Sequence, residues 1–250
     1  MRLLVAAWWL QFRLLSRSPF FLGMSLMTPL AYGGVTLLMS GGEASLRAIL
    51  GAGLLGAWSA TMFGAAEALF MQRFAGTLEF LIGAPRSLVA PVFGFTAATV
   101  TLGVYSLAAV SVMAIAFARL GPIAISDPWG LIAALIAVLV SLVSMGTLLA
   151  GLYVLTRHAI EITNVMEYPI WLACGLVVPS AALWPPLSAA GHLFPLGWGM
   201  DALDGAISGS GAWGAAAAAV ALAAMYGVAG ILFLYRVDVL ARRRGTLRLR

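Results

Sequence analysis

The charged side chains that could act on another molecule are concentrated in one stretch, "MQRFAGTLEFLIGAPRS", which runs from Met71 to Ser87. Thr77 predicts the N-cap of a short helix with Glu79 in its first turn, both favourable at a helix N-terminus. Gly83 and Pro85 end that helix after roughly one to two turns. A helix this short is not stable alone, so it needs a membrane surface or a groove on another protein. The alternative is an ordinary loop between two spans.

A second group of acidic residues has the types that could hold metal ions. "DALDG", from Asp201 to Gly205, matches the opening of the D-x-x-D-G pattern of the CDP-alcohol phosphotransferases, which hold two metal ions with a longer set of carboxylates. Here Ser208 and Gly209 stand where that pattern resembles Ala-Arg, and the next acid is the distant Asp238. The sequence therefore predicts no metal at these residues.

The remaining nucleophiles and bases do not form a catalytic set. His158 and His192 fall on opposite sides of the membrane in the topology given below, so they cannot share a metal. Cys174 is the only cysteine and lies in an apolar run, which predicts a buried, inert thiol. We predict no catalytic residue, no metal and no enzymatic activity in this chain.

The composition is that of a polytopic membrane protein. Of the 250 residues 62% are hydrophobic and 9% are charged, with a mean hydropathy of +1.02, whereas a soluble domain is about half apolar and about a quarter charged. All 14 basic residues are arginine. Without a lysine the chain has no phosphate-binding P-loop and no Schiff base, so any ATP used must be bound by another chain.

Six stretches are long and apolar enough to cross a bilayer, which takes about 20 residues. We predict an all-α protein with these spans: Phe20–Met39, Ile49–Leu69, Leu88–Ala118, Trp129–Leu155, Val165–Leu183 and Trp213–Tyr235. The third is too long for one straight span and predicts a tilted beginning near Pro91. The fifth contains Pro169 and Pro179 near its two ends.

The arginines predict the orientation. With six spans, twelve arginines lie on the side of both termini, while Arg47 and Arg119 lie on the other. The positive-inside rule then places both termini in the cytoplasm, and the alanine-rich, lysine-free composition is typical of a bacterial plasma membrane protein. The basic tail, residues 236–250, faces anionic lipid; nucleic acid is the alternative partner, which we disfavour. The twelve are Arg2, Arg13, Arg17, Arg73, Arg86, Arg157, Arg236, Arg242, Arg243, Arg244, Arg248 and Arg250.

Residues 1–18 predict an amphipathic helix in the cytoplasmic interface, ended by Pro19. Arg2, Arg13 and Arg17 fall within an arc of about 60° on a helical wheel, and the remaining face is rich in Leu, Trp and Phe. An ordinary charged flank of the first span is the alternative.

Small residues recur every four positions in the second span and predict a helix-packing face. Whether this face meets its own bundle or a second copy stays open at this point. Its members are Ala52, Gly56, Ala60, Gly64 and Ala68.

The acidic residues of the spans are expected near an interface. Glu67 falls at the end of the second span, and Glu161 and Glu167 at the start of the fifth. An acid at the midplane would mark a proton- or sodium-coupled transporter, so this placement disfavours that alternative, as does the lack of a detectable internal repeat.

One motif resembles a known family. "GTLEFLIGAPRS" is similar to the cytoplasmic loop of the ABC-2 type transporter permeases, whose pattern is approximately Glu-Arg-x-x-Gly-Thr-Leu-Glu-x-Leu-x-x-x-Pro. Gln72 departs from it where the family often has an acid. In the family this loop is a coupling helix that docks on a separate ATP-binding subunit. The resemblance implies coupling roles for Arg73, Gly76, Thr77, Leu78, Glu79, Leu81 and Pro85, with Arg86 beside them.

The rest of the chain resembles the family in layout. "VPSAALWPPLSAAGHLFPLGWGMDAL", from Val178, is similar to the proline-rich external segment between the last two spans, which forms short re-entrant helices. The plan is then an interface helix (1–18), a six-helix domain (19–235) and a basic tail (236–250).

The resemblance implies a permease that exports an apolar or amphiphilic substrate such as a drug, lipid, peptide or glycan. Its partners would be a separate ATPase subunit, which binds ATP and Mg, and a second permease chain. The chain itself would hold no cofactor. A haem-exporter permease or a membrane-embedded lipid-metabolising enzyme is the alternative.

Overall fold

A computed structural model describes residues 2–39, 43–74, 88–117, 119–120, 125–155 and 159–244. These residues are almost entirely helical, as the composition predicts, with a 3₁₀ turn at Ser180–Ala182 and two two-residue strands. The helices are α1 (Arg2–Ser16), α2 (Pro19–Met39), α3 (Leu46–Phe74), α4 (Val89–Phe117), α5 (Pro128–Leu155), α6 (Ala159–Ala173), α7 (Pro185–Gly191), α8 (Pro195–Ser208) and α9 (Trp213–Arg244), and the strands are β1 (Glu43–Ala44) and β2 (Arg119–Leu120).

Five of the described helices are long and apolar enough to cross a membrane. They correspond to the first four predicted spans and the last one. The candidate spans within them are Phe21–Leu38, Leu46–Gly64, Val89–Phe117, Pro128–Tyr153 and Trp213–Leu240. α4 continues through Pro91 because this proline is the third residue of the helix, where its missing N–H has no intrahelical partner.

The predicted fifth span is not one long helix. α6 ends at Ala173 instead of continuing to Leu183, because the chain turns at Gly175, whose φ of +78° is a left-handed conformation that side chains disfavour. A 15-residue helix rises about 22 Å, less than the hydrocarbon core of about 30 Å. The expected boundaries of this span were therefore wrong.

The last helix is longer than expected. α9 continues to Arg244, nine residues beyond the predicted end at Tyr235. The basic residues that we assigned to a tail therefore begin as helix, since arginine, leucine and alanine are good helix formers.

One end of the bundle gathers several connections, and we call it the strand end. β1 pairs in parallel with β2, so the α2–α3 and α4–α5 connections meet there. The Ser126 hydroxyl donates to the Ile207 carbonyl over 2.9 Å, and the Asp127 N–H donates to the Ala206 carbonyl over 3.0 Å. These bonds bring the end of α8 to the same place. Arg47 and Arg119, predicted to share a side, both belong to this end.

The apolar core surrounds α8, which lies inside the bundle although it is short. Leu196, Met200 and Leu203 of this helix are fully buried, in one cluster with Trp58 of α3 and Leu142 of α5. The segment between α6 and α9 is thus part of the packed structure.

Candidate functional site

The sharpest motif of the sequence lies outside the described residues. Gly76, Thr77, Leu78, Glu79, Leu81, Pro85 and Arg86 fall in the gap between Phe74 and Leu88, so their coupling roles stay predictions. Arg73 lies in the last turn of α3, and its side chain is also not described. α3 therefore leads from the strand end of the bundle directly to the motif.

The small-residue face of α3 lies against α2 and α4 of the same chain. A Cβ on Gly56 would lie 2.5 Å from Ser106 Cβ of α4 and 2.7 Å from Pro29 of α2. A Cβ on Gly64 would overlap Thr99 of α4. Ala52 and Ala60 are buried on the same face, and the side chain of Ala68 is not described.

α4 contributes to this close contact from its own side. A Cβ on Gly103 would lie 2.7 Å from the Cα of Ala57, so the two backbones approach directly. The Ser106 hydroxyl donates to the Gly53 carbonyl of α3 over 2.6 Å. Small residues and an interhelical hydrogen bond are the means by which helices associate in lipid. α3 and α4 therefore form a tightly packed pair next to the motif.

A carboxylate lies inside the bundle, contrary to the sequence expectation. Glu167 of α6 is 4% exposed and accepts a hydrogen bond from the Ser59 hydroxyl of α3. Ser59 is thirteen residues, about 20 Å, past the start of α3. Glu167 lies deeper than predicted because α6 begins by Ala159, so it is about 12 Å along its helix and not at the start of a span. The argument that these helices contain no interior acid was thus wrong.

The Glu167 contact belongs to an antiparallel pairing of α6 with α3. On α6, Glu167 meets Ser59, and three residues after the end of α6 the Leu176 carbonyl lies against Gly51. A hydroxyl–carboxylate bond in an apolar interior is strong because neither group has water as an alternative partner. It connects α6 to the helix that leads to the motif.

Arg47, at the start of α3, joins α3 to α8 and to the turn after α6 at the strand end. Its Nε lies 2.5 Å from Asp204 Oδ1 of α8, and its guanidinium donates to the Leu176 carbonyl over 2.9 Å and to the Gly175 carbonyl. Burial raises the pKa of Asp204 above its ordinary value, although the arginine opposes that shift. The fork of donors on arginine suits this arrangement of a carboxylate and two carbonyls, and it fixes the turn after α6.

Asp201, the other acid of "DALDG", holds the segment between α6 and α8. Asp201 accepts from the Ser180 hydroxyl over 2.5 Å and contacts His192 Nε2 at 2.6 Å. Burial alone would lower the pKa of His192, but its bonds to Asp201 and to the Ser188 carbonyl outweigh that effect and raise the pKa above its ordinary value. No group of three or more potential metal ligands occurs among the described residues.

Sequence analysis did not find these roles. Asp201 and Asp204 were weighed only as metal ligands, and Arg47 only as a topological marker. Arg47 and Asp204 are 157 positions apart in the chain. Asp201 and His192 are 9 positions apart, and they lie in two different helical segments. Cys174 is buried, as predicted, with its Sγ 3.8 Å from the Gly191 carbonyl.

α1 is an amphipathic helix that packs along α4. Arg13 and Arg17 are exposed, while Ala7, Gln11 and Leu15 of the opposite face are buried. The side chain of Arg2 is not described. Its position in an interface stays a prediction.

Comparison with known families gives one match. The model of the family described as ABC-2 type transporter matches residues 2–208, most of the chain and all elements from α1 to α8. No curated protein and no solved structure matches the chain. The family model covers the small-residue face, the interior carboxylate and the segment held at the strand end. The chain therefore belongs to the ABC-2 type transporter family, as a multi-pass membrane permease of an ABC transporter.

Proposed function

We propose that this chain is the membrane half of an ATP-driven exporter whose ATP is hydrolysed by a separate subunit. The observation that carries the proposal is the family match over residues 2–208, which includes the Gly76–Pro85 motif at the end of α3. In this proposal the motif forms a coupling helix, and ATP with Mg is held by the partner.

The proposal includes a sixth crossing made by α6. Its start follows α5, and the turn after it reaches Arg47 at the strand end. Residues 174–176 extend the path beyond the helix and so offset its short length. α7 and α8 then return as re-entrant helices on the external side, where backbone inside protein is tolerated.

The remaining parts of the proposal rest on charge and apolarity. The side on which twelve of fourteen arginines fall favours both termini in the cytoplasm. The lysine-free, alanine-rich composition favours a bacterial plasma membrane. A second permease, identical or homologous, completes the pathway. The cargo is apolar or amphiphilic, in keeping with an apolar bundle, and α1 with Arg2, Arg13 and Arg17 rests on the cytoplasmic lipid surface.

The test is a purification of the full chain from native membranes in mild detergent, followed by an assay of ATP hydrolysis in the purified material. Wild type is expected to bring an ATP-binding subunit with it. Glu79→Arg reverses the charge in the motif and is expected to lose that subunit or to uncouple its ATP hydrolysis from the permease.

The control is Thr246→Arg, which introduces an arginine in the C-terminal tail, outside the motif, and adds one positive charge where Glu79→Arg changes the charge by two. It is expected to retain the ATPase. If wild type brings no ATPase in several detergents, or if both variants lose it equally, the coupling role of the motif is wrong.

A further inference from the structure

A short segment between α6 and α8 lies on the outside of the bundle, and we call it the α7 segment (residues 180–192). It contains the 3₁₀ turn at Ser180–Ala182 and α7, and Pro185 and Pro186 at the start of α7 are exposed. A seven-residue helix is too short to be stable alone in water. Contacts with the rest of the protein therefore hold this segment in place.

His192, at the end of the α7 segment, makes polar contacts with both ring nitrogens. Nδ1 lies 2.7 Å from the Ser188 carbonyl of α7, and Nε2 lies 2.6 Å from Asp201 Oδ2 of α8. Because a carbonyl oxygen only accepts, Nδ1 must carry a proton, and a neutral imidazole then has a lone pair at Nε2. That lone pair would face a carboxylate oxygen. Both contacts are thus favourable when the imidazole, a stronger base than a carboxylate, is protonated.

Asp201 connects the two ends of the α7 segment to α8. Its Oδ1 accepts from the Ser180 hydroxyl over 2.5 Å, while its Oδ2 faces His192. The side chains of His192 and Asp201 are 29% and 24% exposed. The proton between them can therefore exchange with water while the bundle stays folded.

The other ionisable groups around this contact are of types that do not ordinarily titrate near neutral pH. Arg47 and Asp204 form their own ion pair, three residues further along α8. Tyr226 of α9 donates its hydroxyl to a backbone carbonyl over 3.0 Å, and Cys174 is buried. Histidine is the type whose ordinary pKa lies near neutral pH. Among these described groups, His192 is therefore the one expected to respond there.

The α7 segment covers the only cysteine of the chain. A Cβ on Gly191 would lie 2.0 Å from the Ala173 carbonyl oxygen, so the end of α7 packs directly on the backbone at the end of α6. Cys174 follows in the chain and is 1% exposed, with its Sγ 3.8 Å from the Gly191 carbonyl. Gly191 directly precedes His192. Release of His192 therefore frees the residue that covers the thiol.

We propose that His192 is a proton-operated latch of the α7 segment. As an imidazolium it holds the segment on α8 and over Cys174. When the proton passes from Nε2 to water, the lone pair faces Asp201 unfavourably and the segment opens more often. The latch goes beyond the transport activity proposed above, since it needs neither an ATPase nor a cargo. With the strand end outside the cell, as in that proposal, the latch responds to the external pH.

The direction of the pH dependence follows from the two states of His192. Burial alone would lower its pKa in the closed segment, but the bonds to Asp201 and to the Ser188 carbonyl outweigh burial and raise it. In the open segment the imidazole is in water and has its ordinary pKa of about 6.5. The contribution of the latch is thus complete below that value and is lost as pH rises through the raised one. Because one proton is involved, the opening equilibrium changes at most about tenfold per pH unit.

The test uses Cys174 as a reporter in the full-length protein in nanodiscs. The rate of its modification by a water-soluble maleimide is measured from about pH 5.5 to about pH 8.5, which brackets the ordinary pKa of histidine. The wild-type rate is divided by the rate of His192→Gln at the same pH, which cancels the pH dependence of the thiol itself. At the acidic end wild type is expected to react more slowly than the variant. The ratio is expected to rise with pH, by at most about tenfold per unit, and then to become constant.

Two further variants separate the latch from other effects. Asp201→Asn supplies a neutral amide that can present either an N–H or an oxygen to the imidazole, so its ratio to His192→Gln is expected to be independent of pH. His158→Gln removes the other histidine of the chain and is expected to keep the wild-type pH dependence. The proposal is overturned if the wild-type ratio does not change with pH, if wild type reacts as fast as His192→Gln at every pH, or if His158→Gln abolishes the dependence.

Discussion

The α3–α4 contact and the strand end stabilise the same bundle by opposite means. Between α3 and α4 the helices approach through Gly56 and Gly103, with backbone and small side chains in direct contact. At the strand end, Arg47, Asp201 and Asp204 hold the chain with charged hydrogen bonds, and these side chains remain partly exposed. The first contact depends on shape and the second on charge.

The difference follows from the surroundings of each region. Lipid is as apolar as a leucine side chain, so helices in it gain little from burying more hydrocarbon and associate by close packing. The chain at the strand end is broken by Gly175 and by four prolines, Pro179, Pro185, Pro186 and Pro195, which leaves carbonyls that need donors. Arg47 supplies them. Glu167 is an exception, a carboxylate in the interior that accepts a hydrogen bond from Ser59.

The largest effect is expected from breaking the close contact. In Gly56→Leu the side chain would meet Ser106 and Pro29, so we expect a loss of at least about 3 kcal/mol of stability and little folded protein. The control is Gly34→Leu on α2, where a Cβ meets nothing within 4 Å. Thermal melting followed by size-exclusion retention measures both. Equal melting temperatures for the two variants would contradict the packing argument.

A smaller loss is expected at the strand end. Arg47→Gln removes the ion pair with Asp204 and the donors to two carbonyls, which we expect to cost about 2–3 kcal/mol. Arg17→Gln removes an exposed arginine of the same type and is expected to melt like wild type. Adding Asp204→Asn to Arg47→Gln should recover part of the loss, since no unpaired carboxylate then remains. A fully additive double variant would show that the pair does not interact.

The interior contact of Glu167 is tested by removing its hydrogen-bond donor, Ser59. Ser59→Ala leaves the Glu167 carboxylate without this hydroxyl and is expected to cost about 1–2 kcal/mol. Ser25→Ala on α2 is the control, because the Ser25 hydroxyl donates to the Leu22 carbonyl of its own helix. The same melting assay compares them. If the two variants are equally stable, the α3–α6 bond contributes nothing measurable.

The smallest expected effect is a dependence of the melting temperature on pH. The pKa of His192 is raised in the folded protein, so its contribution is fully present below the ordinary value of about 6.5 and is lost as pH rises through the raised value. Wild type should therefore melt at a lower temperature as pH rises through that window. In His192→Gln this part of the profile should become flat. An unchanged profile in the variant would assign the pH dependence to other groups.

The sequence predicted helices more reliably than their ends. Apolar stretches of about 20 residues located five candidate spans because apolarity over that length is a local property. The break at Gly175 and the early start of α6 were missed, since glycine and proline, here Gly175 and Pro179, are also found within membrane helices. That shift of a few residues placed Glu167 at an interface in the prediction and inside the bundle in the structure.

The sequence by itself determined the class of the protein, the amphipathic face of α1 and the family motif, because each depends on residues close together in the chain. Only the tertiary structure decided what the small-residue face meets and which partners Arg47, Asp201 and Glu167 have. Those contacts join distant residues, and many partners of the same chemical type would satisfy each one. Their choice therefore depends on how the helices pack.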